Sequence, residues 1–341
     1  MLTYALFFIF AVTTDAVGII IPVVVEEYGL TLTQAGSFHY ATMVAIALAG
    51  ALFGHLADTK GRKFALLTGM GIFAAATLTF SIARQFFVLL SLIFTMGVAI
   101  GIFKTAALAL VGDASKSQQS HTRTMNVAEG FFGLGAIAGP GLVTFFLAKE
   151  VHWTYLYVFA GILCLIVMAL TARSQFPAYT VAAKSSASMT ARWHLLSDPY
   201  AAGFSIAVVL YVVAEAAIYV WMPTYLASYT GRYEMVAAYA LATFFVLRAG
   251  GRFLGAWVLA KIPWKTTLTI FSGLVAACYA GAVTLGVDYA IWLLPLSGLF
   301  MSIIYPTLNS KGISSFSAEQ HGAIAGILLF FTAAAAALGP L

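Results

Sequence analysis

Long apolar stretches, separated by short charged or glycine-bearing connections, run the whole length of the chain. They fall near residues 2–25, 37–56, 64–82, 86–111, 125–148, 153–171, 202–226, 236–260, 266–285, 289–310 and 320–341, eleven in all. Each is close to the ~20 residues a helix needs to cross the hydrocarbon core of a bilayer. Lipid offers no hydrogen-bond partner, so a spanning segment must satisfy its own backbone and each run is predicted to be a helix. The one long hydrophilic connection holds Lys184, Ser185, Ser186, Ser188 and Arg192 and reads as a linker. It divides the chain into a six-helix bundle at 1–172, the linker at 173–198, and a second bundle at 199–341 with five runs.

Composition agrees with an all-α polytopic membrane protein. Hydrophobic residues make up 62% and charged residues 9% of the chain, against about a quarter charged in soluble domains. The net charge of +5 is scattered singly between apolar runs and forms no patch, which excludes a nucleic-acid partner. Its distribution sets orientation instead. With the N-terminus in the cytoplasm, Lys60, Arg62, Lys63, Lys116, Arg123, Arg173, Lys184, Arg192, Lys261, Lys265 and Lys311 lie inside, and Arg84, Lys149 and Arg232 outside. The expected location is a bacterial inner (plasma) membrane. The first run is too long, and lacks the basic flank, for a cleavable signal. Cys164 and Cys278 lie within apolar runs and read as small buried hydrophobes.

The two parts echo each other. Asp15 precedes Pro22 much as Glu215 precedes Pro223, and Gly50-x-x-x-Gly54 leading to Lys63 parallels Gly251-x-x-x-Gly255 leading to Lys265. A parallel repeat predicts two pseudo-symmetric six-helix bundles with a site between them near the midplane. On that pattern a twelfth helix is missing, as in a truncated chain.

Six ionisable residues fall inside the runs: Asp15, Lys104, Glu129, Glu215, Arg248 and Arg252. A charge at the bilayer centre costs roughly 2.5–3.5 kcal/mol on insertion scales, so such residues mark a solute or proton path, or else structural ion pairs. Lys104 has no acidic residue one turn away, so its partner must come from another helix, with Asp15 and Glu129 as the candidates. A desolvated carboxylate beside an ammonium suits a group that titrates as a cavity changes sides. Phe10, Phe38, Tyr40, Phe103, Phe131, Phe132, Tyr211, Tyr219, Trp221 and Tyr305 share these helices, where rings serve as packing or stack on a sugar face.

The turn Gly54-His55-Leu56-Ala57-Asp58-Thr59-Lys60-Gly61-Arg62-Lys63 resembles the signature between helices 2 and 3 of the major facilitator superfamily. Phe244 to Trp257, Met301 to Thr307, Tyr211 to Glu215 with Trp221, Thr31 to Gly36 and Asn126 to Ala136 resemble the fucose permease branch, the fucose/galactose/glucose:proton symporters. The resemblance implies a major facilitator fold and proton-driven sugar transport by alternating access. It also implies a gate at Gly54, Asp58, Gly61, Arg62, Lys63 and Arg252. On the same basis Phe10, Asp15, Lys104, Glu129, Tyr211, Glu215, Trp221, Tyr305 and Asn309 are expected to bind the solute, with Asp15, Glu129 and Glu215 carrying the proton coupling. The chain departs from that branch where the coupling lies. Lys104 stands in place of the branch's helix 4 glutamate, Glu129 of a helix 5 glutamine, Asp15 of a helix 1 asparagine, and Gly18 of its aspartate. A lysine there leaves uronates and other organic anions open as substrates.

Gly135 to Gly141 resembles the Gly-Pro motif of the superfamily's antiporters, so proton-coupled drug or metabolite export is the alternative, and a non-transporting sensor a second. The histidines at 39, 55, 121, 152, 194 and 321 are isolated along the chain and no nucleophile–base pair appears, which argues against an enzyme. The expected partners are a small solute, protons and lipid. No cofactor or metal is expected, and the carrier is expected to be a monomer.

Overall fold

The structure, a computed structural model, describes residues 1–115, 117–176, 194–226 and 229–338. Lys116 and the linker residues Lys184, Ser185, Ser186, Ser188 and Arg192 lie outside the described residues, as does the Tyr219 side chain. All regular structure among the described residues is helical.

The first apolar run becomes α1 (Leu2–Thr14) and α2 (Val17–Tyr28), interrupted at Asp15 and Ala16. The Thr13 and Thr14 hydroxyls both donate to the Phe10 carbonyl, at 2.9 and 3.1 Å, a competition with the backbone ladder that bends helices. Next comes α3 (Leu32–Phe53), opened by a reciprocal capping box between Thr31 and Gln34 and followed by the short α4 (Leu56–Thr59). Gly61 then takes φ 90°, which a side chain would oppose, and turns the chain into α5 (Arg62–Thr79). The first group ends with α6 (Phe86–Ala114), α7 (Gln118–Ala148) and α8 (Tyr155–Arg173).

The second group comprises α9 (Pro199–Leu226), α10 (Glu234–Ala238), α11 (Ala240–Lys261), α12 (Trp264–Thr284), α13 (Val287–Met301), α14 (Ile304–Ser314) and α15 (His321–Leu338). The run expected at 289–310 is split into α13 and α14 because Pro306 has no N–H for the Ser302 carbonyl and its ring crowds that carbonyl. Ten stretches among the described residues are long and apolar enough to cross a membrane, against eleven runs in the sequence. The difference is α5, an 18-residue helix whose first turn carries Arg62 and Lys63.

In the first group α6 lies between α3 and α5, and α1 packs on α7 and α8. Gly135 and Gly139 press against the α1 carbonyls of Phe8 and Val12, so the antiporter-like glycine string is a packing seam here. In the second, α13 lies between α11 and α12, and α9 packs on α14 and α15. The groups meet along α3–α15, α6–α15, α7–α11 and α7–α14, which makes a two-bundle architecture. Large apolar side chains such as Ile82, Phe87, Ile206, Leu210 and Val283 are exposed on the outer surface. Ten such apolar stretches among the described residues, with such an exterior, make this a multi-pass integral membrane protein.

Candidate functional site

A cavity of about 400 Å³ lies between the two groups, and all six intramembrane charges of the sequence line it. Asp15 enters from the α1–α2 interruption, Lys104 from α6, Glu129 from α7, Glu215 from α9, and Arg248 and Arg252 from α11. Spacing explains the arginine pair: four residues apart, they share one face of α11.

Two of the acids are matched. Arg248 Nε lies 2.5 Å from Glu215 Oε1, and Tyr211 Oη donates to the same oxygen at 2.8 Å. Arg252 Nη2 lies 3.5 Å from Glu129 Oε2, while its Nη1 donates to the Glu129 carbonyl oxygen at 2.6 Å, joining α11 to α7 across the cavity floor. Burying a lone ion costs several kcal/mol, and such pairing offsets much of it. Asp15 and Lys104 have no ion pair among the described residues. Asp15 accepts from Thr14 Oγ1 at 2.9 Å. Lys104, only 5% exposed, has its Nζ over the rings of Phe10 at 4.4 Å and of Phe7 and Phe132 at 5.4 Å. The partner expected for Lys104 from Asp15 or Glu129 is therefore replaced by aromatic faces, because Glu129 is taken by Arg252.

The cavity is closed at the end carrying the Asp58 turn. The Asp58 carboxylate accepts from Gly322 N at 2.9 Å and Ala323 N at 2.8 Å, the free donors at the start of α15, where the helix dipole also favours an anion. Arg62 pairs with Asp58, reaches Asp113 Oδ2 with Nε at 2.7 Å, and donates to the Ala318 carbonyl at 2.8 Å. His321 Nδ1 is 3.2 Å from Asp113 Oδ1. Further along the seam, Thr122 and His121 meet the Ser310 hydroxyl at 2.9 and 3.1 Å, and Gln119 donates to the Ala260 carbonyl at 2.7 Å. Apart from the pairs of Arg62 with Asp58 and Asp113, which lie within the first group, these bonds tie the first group to the second at one end. The cavity lining runs the other way, out to Ile21, His39, Met43, Leu241 and Ala336.

Of the residues expected to bind solute, Phe10, Asp15, Lys104, Glu129, Glu215 and Tyr305 line the cavity. Tyr211 is buried behind Glu215 with its ring 5.9 Å from that of Tyr305, and it positions the carboxylate. Asn309 lies one turn along α14 from Tyr305, donates to its carbonyl at 3.2 Å, and is outside the lining. Trp221 stands 57% exposed, away from the site. Six residues beyond Glu215, it is turned by about 120° from the cavity face of α9. Of the expected gate, Gly54, Asp58, Gly61 and Arg62 assemble at the closed end. Lys63 instead caps α8, donating to the Ala172 and Ser174 carbonyls at 2.6 and 3.0 Å. Arg252 belongs to the cavity floor, not to this turn. Sequence reasoning overlooked Asp113, which meets Arg62 only through the tertiary fold, His321, which meets Asp113 in the same way, and Phe7, whose i, i+3 spacing from Phe10 signals a shared face.

The family model described as the Major Facilitator Superfamily matches residues 3–340. Among curated relatives the chain is 24% identical over 244 residues to Protein TsgA of Escherichia coli O157:H7 and 22% identical to that of Salmonella enteritidis, covering 71% of this chain. In each case the match spans 60% of the relative's length. Among solved structures it is similar to FucP in the outward conformation, at TM-score 0.81 and 22% identity over 98% of this chain and 88% of that one. It is also similar to the proton:xylose symporter XylE, at TM-score 0.70 and 12% identity over 99% and 86%.

Proposed function

The chain belongs to the Major Facilitator Superfamily, and from that premise we propose that it is a secondary active carrier moving a sugar or sugar-like small solute by alternating access, driven by proton symport. The observation that carries the reading is the cavity between the bundles, lined by three acidic and three basic side chains and closed at one end. Ionisable groups at membrane depth are retained where they serve a solute or proton path. The similarity to a fucose:proton symporter and a proton:xylose symporter supports the sugar and proton parts.

On the positive-inside bias, the Asp58 end faces the cytoplasm of an inner (plasma) membrane and the cavity opens outward. Bundles at 1–172 and 199–341, joined by the linker 173–198, rock against each other within a monomer. Asp15 takes the proton, since no cation holds its carboxylate in the ionised form at bonding distance. Glu129 and Glu215 couple through the arginines that pair with them. Release of Asp58 from the start of α15 lets the inner end open.

The test is uptake by proteoliposomes of the full chain under an inward proton gradient, using a panel of labelled six-carbon sugars and sugar acids. Accumulation above equilibrium that collapses with a protonophore is expected. Gradient-driven movement of hydrophobic cations out of the vesicles, with no sugar uptake, overturns the reading in favour of efflux.

A further inference from the structure

We infer that the transported solute carries a carboxylate and that Lys104 binds it, an inference that rests on the carrier reading above and narrows its substrate class. The cavity holds three cations and three anions, and two arginines are committed to two glutamates. That leaves Lys104 as the one of these three cations without an anionic partner within ion-pair distance among the described residues. The group is 95% buried yet lines the cavity, so bulk water does little to solvate it.

The three phenylalanine rings around Nζ explain how an unpaired ammonium is tolerated there. A ring face attracts a desolvated cation, but it accepts no conventional hydrogen bond. The ammonium has three N–H donors, and an incoming acceptor finds them unspent. A neutral hydroxyl satisfies a donor without cancelling the charge. A carboxylate does both, and charge-assisted bonds are roughly twice as strong as neutral ones. When Asp15 carries the symported proton, the six groups sum to one excess positive charge, which a monoanion neutralises. Polar groups for the rest of a six-carbon hydroxy acid are at hand: Tyr305 Oη, 3.3 Å from Thr332 Oγ1, and the His39 imidazole.

The test compares a hexuronate, its uncharged amide, neutral hexoses and an amino acid as ligands of the purified full chain, by thermal shift and equilibrium binding. The hexuronate is expected to bind, and its amide to bind roughly tenfold to hundredfold more weakly, which needs no variant. Lys104→Met, an unbranched apolar side chain one atom shorter that still packs within the phenylalanine rings, is expected to lose hexuronate affinity by a similar factor. Lys104→Arg is expected to retain most of it. Equal binding of acid and amide, or binding of neutral hexoses alone, overturns this inference and leaves the carrier reading standing; binding of the amino acid alone keeps the carboxylate and overturns the sugar. If no ligand of any class binds while gradient-driven efflux of hydrophobic cations is measured, the carrier reading fails and takes the inference with it.

Discussion

Asp58→Asn removes the group on which the closed end converges. Its carboxylate accepts two backbone N–H donors of α15 at 2.9 and 2.8 Å and pairs with Arg62, all at 2% exposure. Hydrogen bonds to a charged group contribute ~1.5–3 kcal/mol each, and an anion at a helix N-terminus ~0.3–1 kcal/mol. Asparagine keeps one acceptor oxygen but sets an amide NH₂ against the second N–H and leaves Arg62 short of a counter-charge. Allowing for relaxation, the loss is roughly 2–3 kcal/mol, or about 30- to 150-fold in an equilibrium between states that differ at this seam. The assay is maleimide labelling of Leu259→Cys, a 4% exposed position beside Gln119 at the closed end, after replacing Cys164 and Cys278. Reagent is added from the Asp58 side of vesicles. A labelling rate at least tenfold higher in the Asp58→Asn background is expected on this arithmetic. An unchanged rate, with the protein still folded, refutes the idea that this turn holds the end shut.

Gly54→Leu is expected to raise the same labelling rate, since a Cβ at Gly54 meets Gly326 Cα at 2.9 Å and the Gly322 carbonyl at 3.0 Å, leaving no room for the closed seam; equal rates count against it. Asp15→Asn is expected to abolish proton-driven accumulation and spare downhill exchange, measured in the same vesicles with and without a gradient. Glu215→Gln strands Arg248 and is expected to destabilise by about 3–5 kcal/mol, with Glu215→Gln/Arg248→Met recovering part of the loss in thermal melts. Lys63→Ala is expected to leave gating labelling unchanged and to cost under about 1 kcal/mol, because its hydrogen bonds are to the exposed α8 terminus.

How much of this was legible in the sequence depends on the range of the interaction. Hydropathy placed the helices because lipid imposes its requirement on every residue of a span. It did not show the breaks at Asp15 and Ser302, which arise from hydroxyl competition by Thr13 and Thr14 and from the missing N–H of Pro306. The Asp58–Arg62 pair was readable because only four positions separate them, across the turn that Gly61 makes between α4 and α5. Lys63, the next residue along, is turned by about 100° and had to point elsewhere, as helical geometry alone predicts. Trp221 carries the same lesson relative to Glu215. The pairs Glu129–Arg252 and Arg62–Asp113 were beyond reach, since each joins helices far apart in the chain.

The long-range pairs also join the cavity floor to the closed end. Arg252 holds both the carboxylate and the backbone carbonyl of Glu129, so the cavity floor and the α7–α11 seam are a single structure. About two and three turns along α7 towards the closed end, Thr122 and Gln119 continue that seam to Ser310 and Ala260. A solute that draws Lys104 or protonates its surroundings changes the field on Glu129 directly, because Phe132 lies against both the Lys104 ammonium and the Arg252 guanidinium, at 5.4 and 5.5 Å. Loosening the Glu129–Arg252 pair then weakens the α7–α11 contact, a second seam beside the one that the Asp58 turn makes with the start of α15. Phe132→Leu is therefore expected to weaken the link between solute binding and opening of the closed end. Solute-induced change in Leu259→Cys labelling should shrink while unliganded labelling stays the same. A full solute response in that variant would mean that the signal runs through another helix pair.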